Sequence, residues 1–111
     1  MDERTNQSIK NFILYVADNY QGLVEAYLFG SSARGLDRPE SDLDIALVFE
    51  KLQDAEKFDL QVELLLSASK FDSRIEPHPL SSDDFLNDHP FAEEIRKTGI
   101  KIKSIFSGQD R

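Results

Sequence analysis

Leu28-Phe-Gly-Ser-Ser-Ala-Arg-Gly-Leu-Asp-Arg-Pro-Glu-Ser-Asp-Leu-Asp-Ile-Ala-Leu-Val-Phe49 is the stretch from which the rest of the chain is read. An apolar run, Leu23 to Phe29, stops at Gly30 and Ser31, and the small residues Ser31, Ser32 and Ala33 suit the opening of a short helix. A turn of that kind offers unpaired backbone N–H groups to an anion. After ten intervening residues, 32–41, come Asp42 and Asp44, at the head of the apolar run Leu43 to Phe49. Strand alternation puts both carboxylates on one face. Two like charges so close are costly unless a hard, oxygen-seeking cation such as Mg²⁺ neutralises them, and a neighbouring triphosphate would supply its remaining ligands. The turn is expected to hold phosphate and the strand to hold metal.

Size and composition bound what surrounds this stretch. A chain of 111 residues is expected to form a single domain, 1–111, able to fold alone. With 40% apolar and 31% charged residues it has the make-up of a soluble globular protein, and no apolar run reaches the ~18–20 residues that span a bilayer. The N-terminus lacks the apolar core of a secretory signal, so the cytoplasm is the expected compartment and no membrane partner is expected. The absence of Cys excludes disulfides, thiolate chemistry and thiolate zinc sites. A net charge of −8 opposes a nucleic-acid partner, since long-range repulsion would have to be overcome by a local basic patch, and the one from Arg96 to Lys103 is small.

From Thr5 to Tyr20, Ile9, Phe12, Ile13, Val16, Ala17 and Tyr20 fall on one helical face and Gly22 supplies the stop. Leu14 and Tyr15 lie off that stripe. Strands are expected over Leu23–Phe29 and Leu43–Phe49; in the second, Leu43, Ile45, Leu47 and Phe49 share one face and Asp42, Asp44, Ala46 and Val48 the other. Because both faces are apolar beyond the carboxylates, the functional face should itself be covered, by a loop, a helix or another chain. A second helix is expected from about Asp54 to Ser69, laying Ala55, Phe58, Val62, Leu65 and Leu66 against the sheet. Lys70 to Pro79 reads as a third strand, with Asp72, Arg74 and Glu76 on one face and Phe71, Ser73 and Ile75 on the other.

Ser81 or Ser82 can cap a short helix through Asp83, Phe85 and Leu86. Pro90 opens another, with Phe91 and Ile95 inward and Gly99 as its end. Ile100 and Ile102 alternate with Lys101 and Lys103 in a candidate edge strand. Residues 107–111 are expected to fray. His78 and His89 each stand beside proline with no second ligand at helical or hairpin spacing, so a structural or surface role is expected for both. The order of elements gives an α/β (α+β) domain, a small mixed sheet packed by helices.

The pattern Gly-Ser, ten residues, Asp-x-Asp, met by Gly30, Ser31, Asp42 and Asp44, resembles the signature of the nucleotidyltransferases related to DNA polymerase β. Four fixed positions would match by chance in about one chain of this length in a thousand. A P-loop would need Lys-Ser or Lys-Thr after Gly35, which is absent. Ala33-Arg34-Gly35 and Ser41 to Asp44 resemble the minimal, single-domain branch. The resemblance implies a phosphate site at Gly30, Ser31, Ser32 and Arg34, and two Mg²⁺ ions on Asp42, Asp44 and a third carboxylate on the neighbouring strand. Glu76 is the candidate for the third and Asp72 the fallback, with an ion pair of Glu76 to Arg74 as the alternative. It further implies transfer of a nucleoside monophosphate from a triphosphate such as ATP, with release of pyrophosphate.

Minimal domains of this type resemble the antitoxins of two-component systems, MntA-type proteins whose partners are helical HEPN ribonucleases. The leading expectation is therefore a protein adenylyltransferase that attaches AMP to a tyrosine of a HEPN partner. The alternatives are an antitoxin that neutralises its partner by occupying it, and transfer to a small molecule such as an aminoglycoside in a cleft built by a homo-oligomer. Ala46 and Val48 on the functional face, with Leu14 and Tyr15, are the expected partner surface.

Overall fold

The computed structural model describes residues 3–30, 33, 35, 41–87 and 90–102. The expectations placed on Ser31, Ser32, Arg34, His89 and the 107–111 tail lie outside them. Helix α1, Glu3–Asn19, buries Thr5, Ile9, Phe12, Ile13 and Val16, the stripe that the 3.6-residue period marks out. Gly22, at φ +90°, turns the chain into strand β1, Leu23–Phe29. Strand β2, Leu43–Phe49, follows with five of its last five residues buried, as a strand covered on both faces requires. Helix α2, Asp54–Ala68, returns the chain to strand β3, Ile75–Ser81. Helices α3, Ser82–Leu86, and α4, Pro90–Thr98, and the two-residue strand β4, Ile100–Lys101, complete the order.

The four strands lie in the order β3-β2-β1-β4. β1 pairs antiparallel with β2 and with β4, whereas β3 runs parallel to β2, the orientation that a helical crossover allows. The sheet is therefore mixed, with helices on both sides. One face carries Leu43, Ile45, Leu47 and Phe49 against α1 and the Leu64 and Ala68 side of α2. On the other, Ala46 packs with Phe29, Leu80 and Ile95 of α4, and Tyr27 and Phe85 close over the cluster.

That second cluster settles what covers the functional face: a helix of the same chain. Ala46, expected to meet a partner, is fully buried beneath it, and Val48, expected to do the same, is buried as well. Tyr15 likewise turns inward, its ring 5.8 Å from that of Phe71, and of the four expected positions only Leu14 is exposed.

Helix α2 sits the other way round from its expected orientation. Leu64 and Ala68 are the residues it buries, while Phe58 is 75% exposed, Leu66 65%, Leu65 47% and Val62 42%. The helix has apolar residues on two sides, and the stripe with more of them faces solvent. Leu60, Leu64 and Ala68 are small or flexible enough to lie close over the strands; Gln61, on the same side, donates from Nε2 to the Pro77 carbonyl at 3.1 Å.

Strand β3 begins five residues later than alternation predicts. Asp72 and Arg74 form a turn instead: Asp72 accepts from the Arg74 backbone N–H at 2.9 Å and from Nε and Nη2 at 3.0 and 2.8 Å. Nη2 also donates to Thr5 Oγ1 at 2.8 Å, tying the start of α1 to the start of β3. The fallback carboxylate Asp72 thus lies off the sheet, and Arg74, which the alternative reading paired with Glu76, is bound to Asp72. Pro77 and Pro79 fit because β3 is an edge strand, where the missing N–H faces away from the ladder.

Two measurements check this account. Leu64→Ala should cost about 2–5 kcal/mol, the usual loss for a buried leucine, while Leu66→Ala should stay within about 0.5 kcal/mol, as at an exposed site; denaturant midpoints decide, and the opposite ranking would reverse the helix. The second concerns acid. Hydrogen bonds from Arg74 hold the Asp72 carboxyl below its ordinary range, against the opposing effect of burial. A carboxylate depressed on folding contributes fully above its unfolded pKa of about 3.9 and loses that contribution as pH falls through the lower folded value. Asp72→Asn should therefore cost on the order of 1–2 kcal/mol at neutral pH, with the gap to wild type closing as the solution is acidified below pH ~4.

Candidate active site

Antiparallel register sets Phe29, the last residue of β1, opposite Asp44. The next residue, Gly30, leaves the strand at φ +78°, in the left-handed region that L side chains avoid. A Cβ there would also stand 2.6 Å from Asp44 Oδ2. Glycine is thus required twice over, and its effect is to lay bare backbone directly against the carboxylate of β2. The bend after β1 and the acidic head of β2 meet at one point.

Parallel register then sets Glu76 opposite Asp44 and His78 opposite Ala46. Residues 76, 78 and 80 of β3 share the face of Asp44, so Glu76 and His78 join it. One ligand atom from each of Asp44, Glu76 and His78 lies within 4.8 Å of the others. His78 Nε2 is 3.1 Å from Asp44 Oδ1 and 3.7 Å from Glu76 Oε1. A hydrogen bond with Asp44 and partial burial push the Glu76 carboxyl above its ordinary range; the charges of Asp44 and Asp42 push the same way, and His78 opposes them. Asp42, exposed just ahead of β2, lies outside the trio of ligand atoms but near enough for its charge to be felt at Glu76.

The expected residues thus divide. Gly30, Asp44 and Glu76 converge, Asp42 stands beside them, and Asp72 is held in its own turn by Arg74. Ser31, Ser32 and Arg34 lie outside the described residues. His78, for which a structural or surface role was expected, is the addition: its Nε2 lies beside the Asp44 and Glu76 carboxylates. Its ring completes a triangle with those of Phe29 and Phe91, 5.3 Å from each centroid and steeply inclined to both, while those two phenylalanines are 5.8 Å apart. The signal that could have found it is its place two residues beyond Glu76, on the same face of a strand.

The donor set, carboxylates with one imidazole, fits a divalent cation. Such a cation would offset the negative charges of Asp44 and Asp42 beside Glu76. A hollow of about 760 Å³ lies at the other end of β2, by Gly22, Phe49 and Glu63, and shares no residue with this cluster.

Comparison with known proteins bears on the same residues. A candidate nucleotidyltransferase from Sulfolobus solfataricus superposes with a TM-score of 0.61 at 23% identity, over 91% of this chain and 87% of the other. A toxin–antitoxin structure with AMP-PNP gives 0.60 at 23%, over 91% and 77%. A tri-AMPylated Shewanella oneidensis HEPN toxin in complex with MNT antitoxin gives 0.54 at 24%, over 94% and 76%. At such identities the likeness is one of fold. No curated protein matches the sequence at a significant level. A family profile for the nucleotidyltransferase domain, however, matches residues 9–110, from the first buried turn of α1 to the end of the chain and through every residue of the cluster. With that match across almost its whole length, the chain belongs to the nucleotidyltransferase domain family.

Proposed function

We propose that this chain transfers AMP from Mg²⁺–ATP to a hydroxyl of a protein partner, a HEPN-type ribonuclease toxin that it silences in the cytoplasm. The observation that carries the chemistry is the convergence of Gly30, Asp44 and Glu76: bare backbone for phosphate and paired carboxylates for a cation at one place. The partner reading draws on the neighbours in fold, which include the AMPylated HEPN toxin held by its antitoxin.

In this reading Gly30 with Ser31, Ser32 and Arg34 holds the β and γ phosphates, which leaves the α phosphorus beside Asp44. The acceptor oxygen forms a bond to that phosphorus as the bond to the bridging α–β oxygen breaks, and pyrophosphate carries away the electron pair. Glu76 would either take the hydroxyl proton or complete a second cation site. Asp42 and Asp44, with Glu76 where it completes the second site, would hold divalent cations, which would supply neutralisation of the charge that gathers on the α phosphate. Zero Cys leaves no thiolate to compete as nucleophile.

A second reading, neutralisation by occupancy, has its own observation: the outward stripe of Phe58, Val62, Leu65 and Leu66 on α2. Exposed Asp54, Asp59 and Glu63 flank it, so a second copy of the chain would bring like charges together. The partner that fits is a helical surface with basic residues around an apolar ridge.

Incubation with ATP labelled on the α phosphate, Mg²⁺ and the protein encoded beside this one separates the two. Asp44→Asn should abolish transfer by about 100-fold or more while leaving the metal-free melting temperature unchanged or raised, because it removes a like charge from Glu76. A large loss of stability would make Asp44 structural, and a complex formed without transfer by the wild type would leave occupancy as the function. Phe58→Asp and Leu66→Asp should break co-purification with the partner and leave the fold intact, whereas Asp44→Asn should leave the complex unaffected; retention of the complex by the α2 variants would move the interface elsewhere.

A further inference from the structure

We propose that His78 is a metal ligand, and that it turns the carboxylate pair into a nitrogen–oxygen site preferring a first-row transition ion over Mg²⁺. The inference rests on the reading of Asp44 and Glu76 as cation-binding residues and adds a donor and a selectivity to it.

Three observations carry it. The first is distance: cis ligands of an ion about 2.0–2.2 Å away stand about 2.8–3.1 Å apart, and His78 Nε2 is 3.1 Å from Asp44 Oδ1. The second is position. Register and alternation put His78 two residues beyond Glu76, on the face that carries Asp44, and its Nε2 is 3.7 Å from Glu76 Oε1. The third is that the ring is held: it packs at a steep angle on the adjoining rings of Phe29 and Phe91, and its side chain is only 15% exposed. A donor fixed in this way loses little freedom on binding.

Selectivity follows from ligand chemistry. Mg²⁺ demands near-ideal octahedral oxygen coordination and sheds water reluctantly, so an imidazole adds little for it. First-row transition ions accept imidazole and carboxylate together, with affinities rising along the series from Mn²⁺ to Cu²⁺. With an ion bound, the ring would carry its proton on Nδ1 and turn the Nε2 lone pair to the metal, and the Asp44–His78 contact would give way to two bonds to one ion.

Mn²⁺ is the probe, because its unpaired electrons report the nuclei bound to it. The full chain loaded with Mn²⁺ should show the modulation of a directly bound imidazole ¹⁴N in pulsed electron paramagnetic resonance. His78→Gln should abolish that signal, and His89→Gln, at the other histidine in the sequence, should keep it. By calorimetry, His78→Gln should weaken Mn²⁺ at least tenfold and Mg²⁺ less than threefold. The proposal is overturned by bound Mn²⁺ without a nitrogen signal, by a wild type that does not bind Mn²⁺, or by equal losses for the two ions, the mark of a residue that merely positions Asp44. The wild-type spectrum decides even if the variant does not fold. AMP transfer without the nitrogen signal would sink this inference and spare the proposed function; the signal without transfer would do the reverse.

Discussion

The contact between the Gly30 backbone and the Asp44 carboxylate is the constraint on which the site depends. It exists because β1 and β2 pair antiparallel in a register that brings Phe29 against Asp44, and it is close enough that no side chain fits between the two. A phosphate-binding bend and a metal-binding strand can be written into a sequence at any separation. Only a fixed strand register brings them to one place, and the nucleotidyltransferase match, residues 9–110, spans both.

Neighbouring parts hold that register. The fork between Arg74 and Asp72, with its further bond to Thr5, anchors the chain at the point where β3 starts. The Leu43 N–H, at the start of β2, bonds to the Arg74 carbonyl at 2.8 Å. From there the parallel ladder counts Glu76 to Asp44 and His78 to Ala46. Behind the site, Ala46, Leu80 and Ile95 fill the space between sheet and α4, so the carboxylates stand at the edge of a dry layer. That is where the interaction of charges with one another is least weakened by solvent.

Much of this could be read from residue order, and the reasons for success and failure are physical. β1 and β2 lie where they were expected to the residue, because their apolar runs are bounded by Gly30 on one side and by Gly- and Pro-punctuated loop on the other. Ser81 caps α3 as its chemistry suggests, accepting from the Asp84 N–H at 2.9 Å. The start of β3 was not legible: Phe71 to Glu76 alternates well enough for a strand, but Asp72 and Arg74 satisfy one another locally and turn the chain. The face of α2 was misread because periodicity finds an apolar stripe without saying which of two stripes meets the core. His78 was overlooked for a related cause, since a lone histidine acquires meaning only once the register beside it is known.

The solvent-facing stripe of α2 bears on the life of the chain outside any complex. Phe58 and Leu66 sit among acidic residues that keep the surface wetted but cannot hide two large hydrocarbon groups. A copy newly made and not yet covered carries the chemical marks that chaperones and proteases recognise in unfinished proteins. If α2 is the docking helix, the amount of this protein that survives will follow the supply of whatever shields it, and its half-life will serve as a gauge of how much of the pair has been assembled.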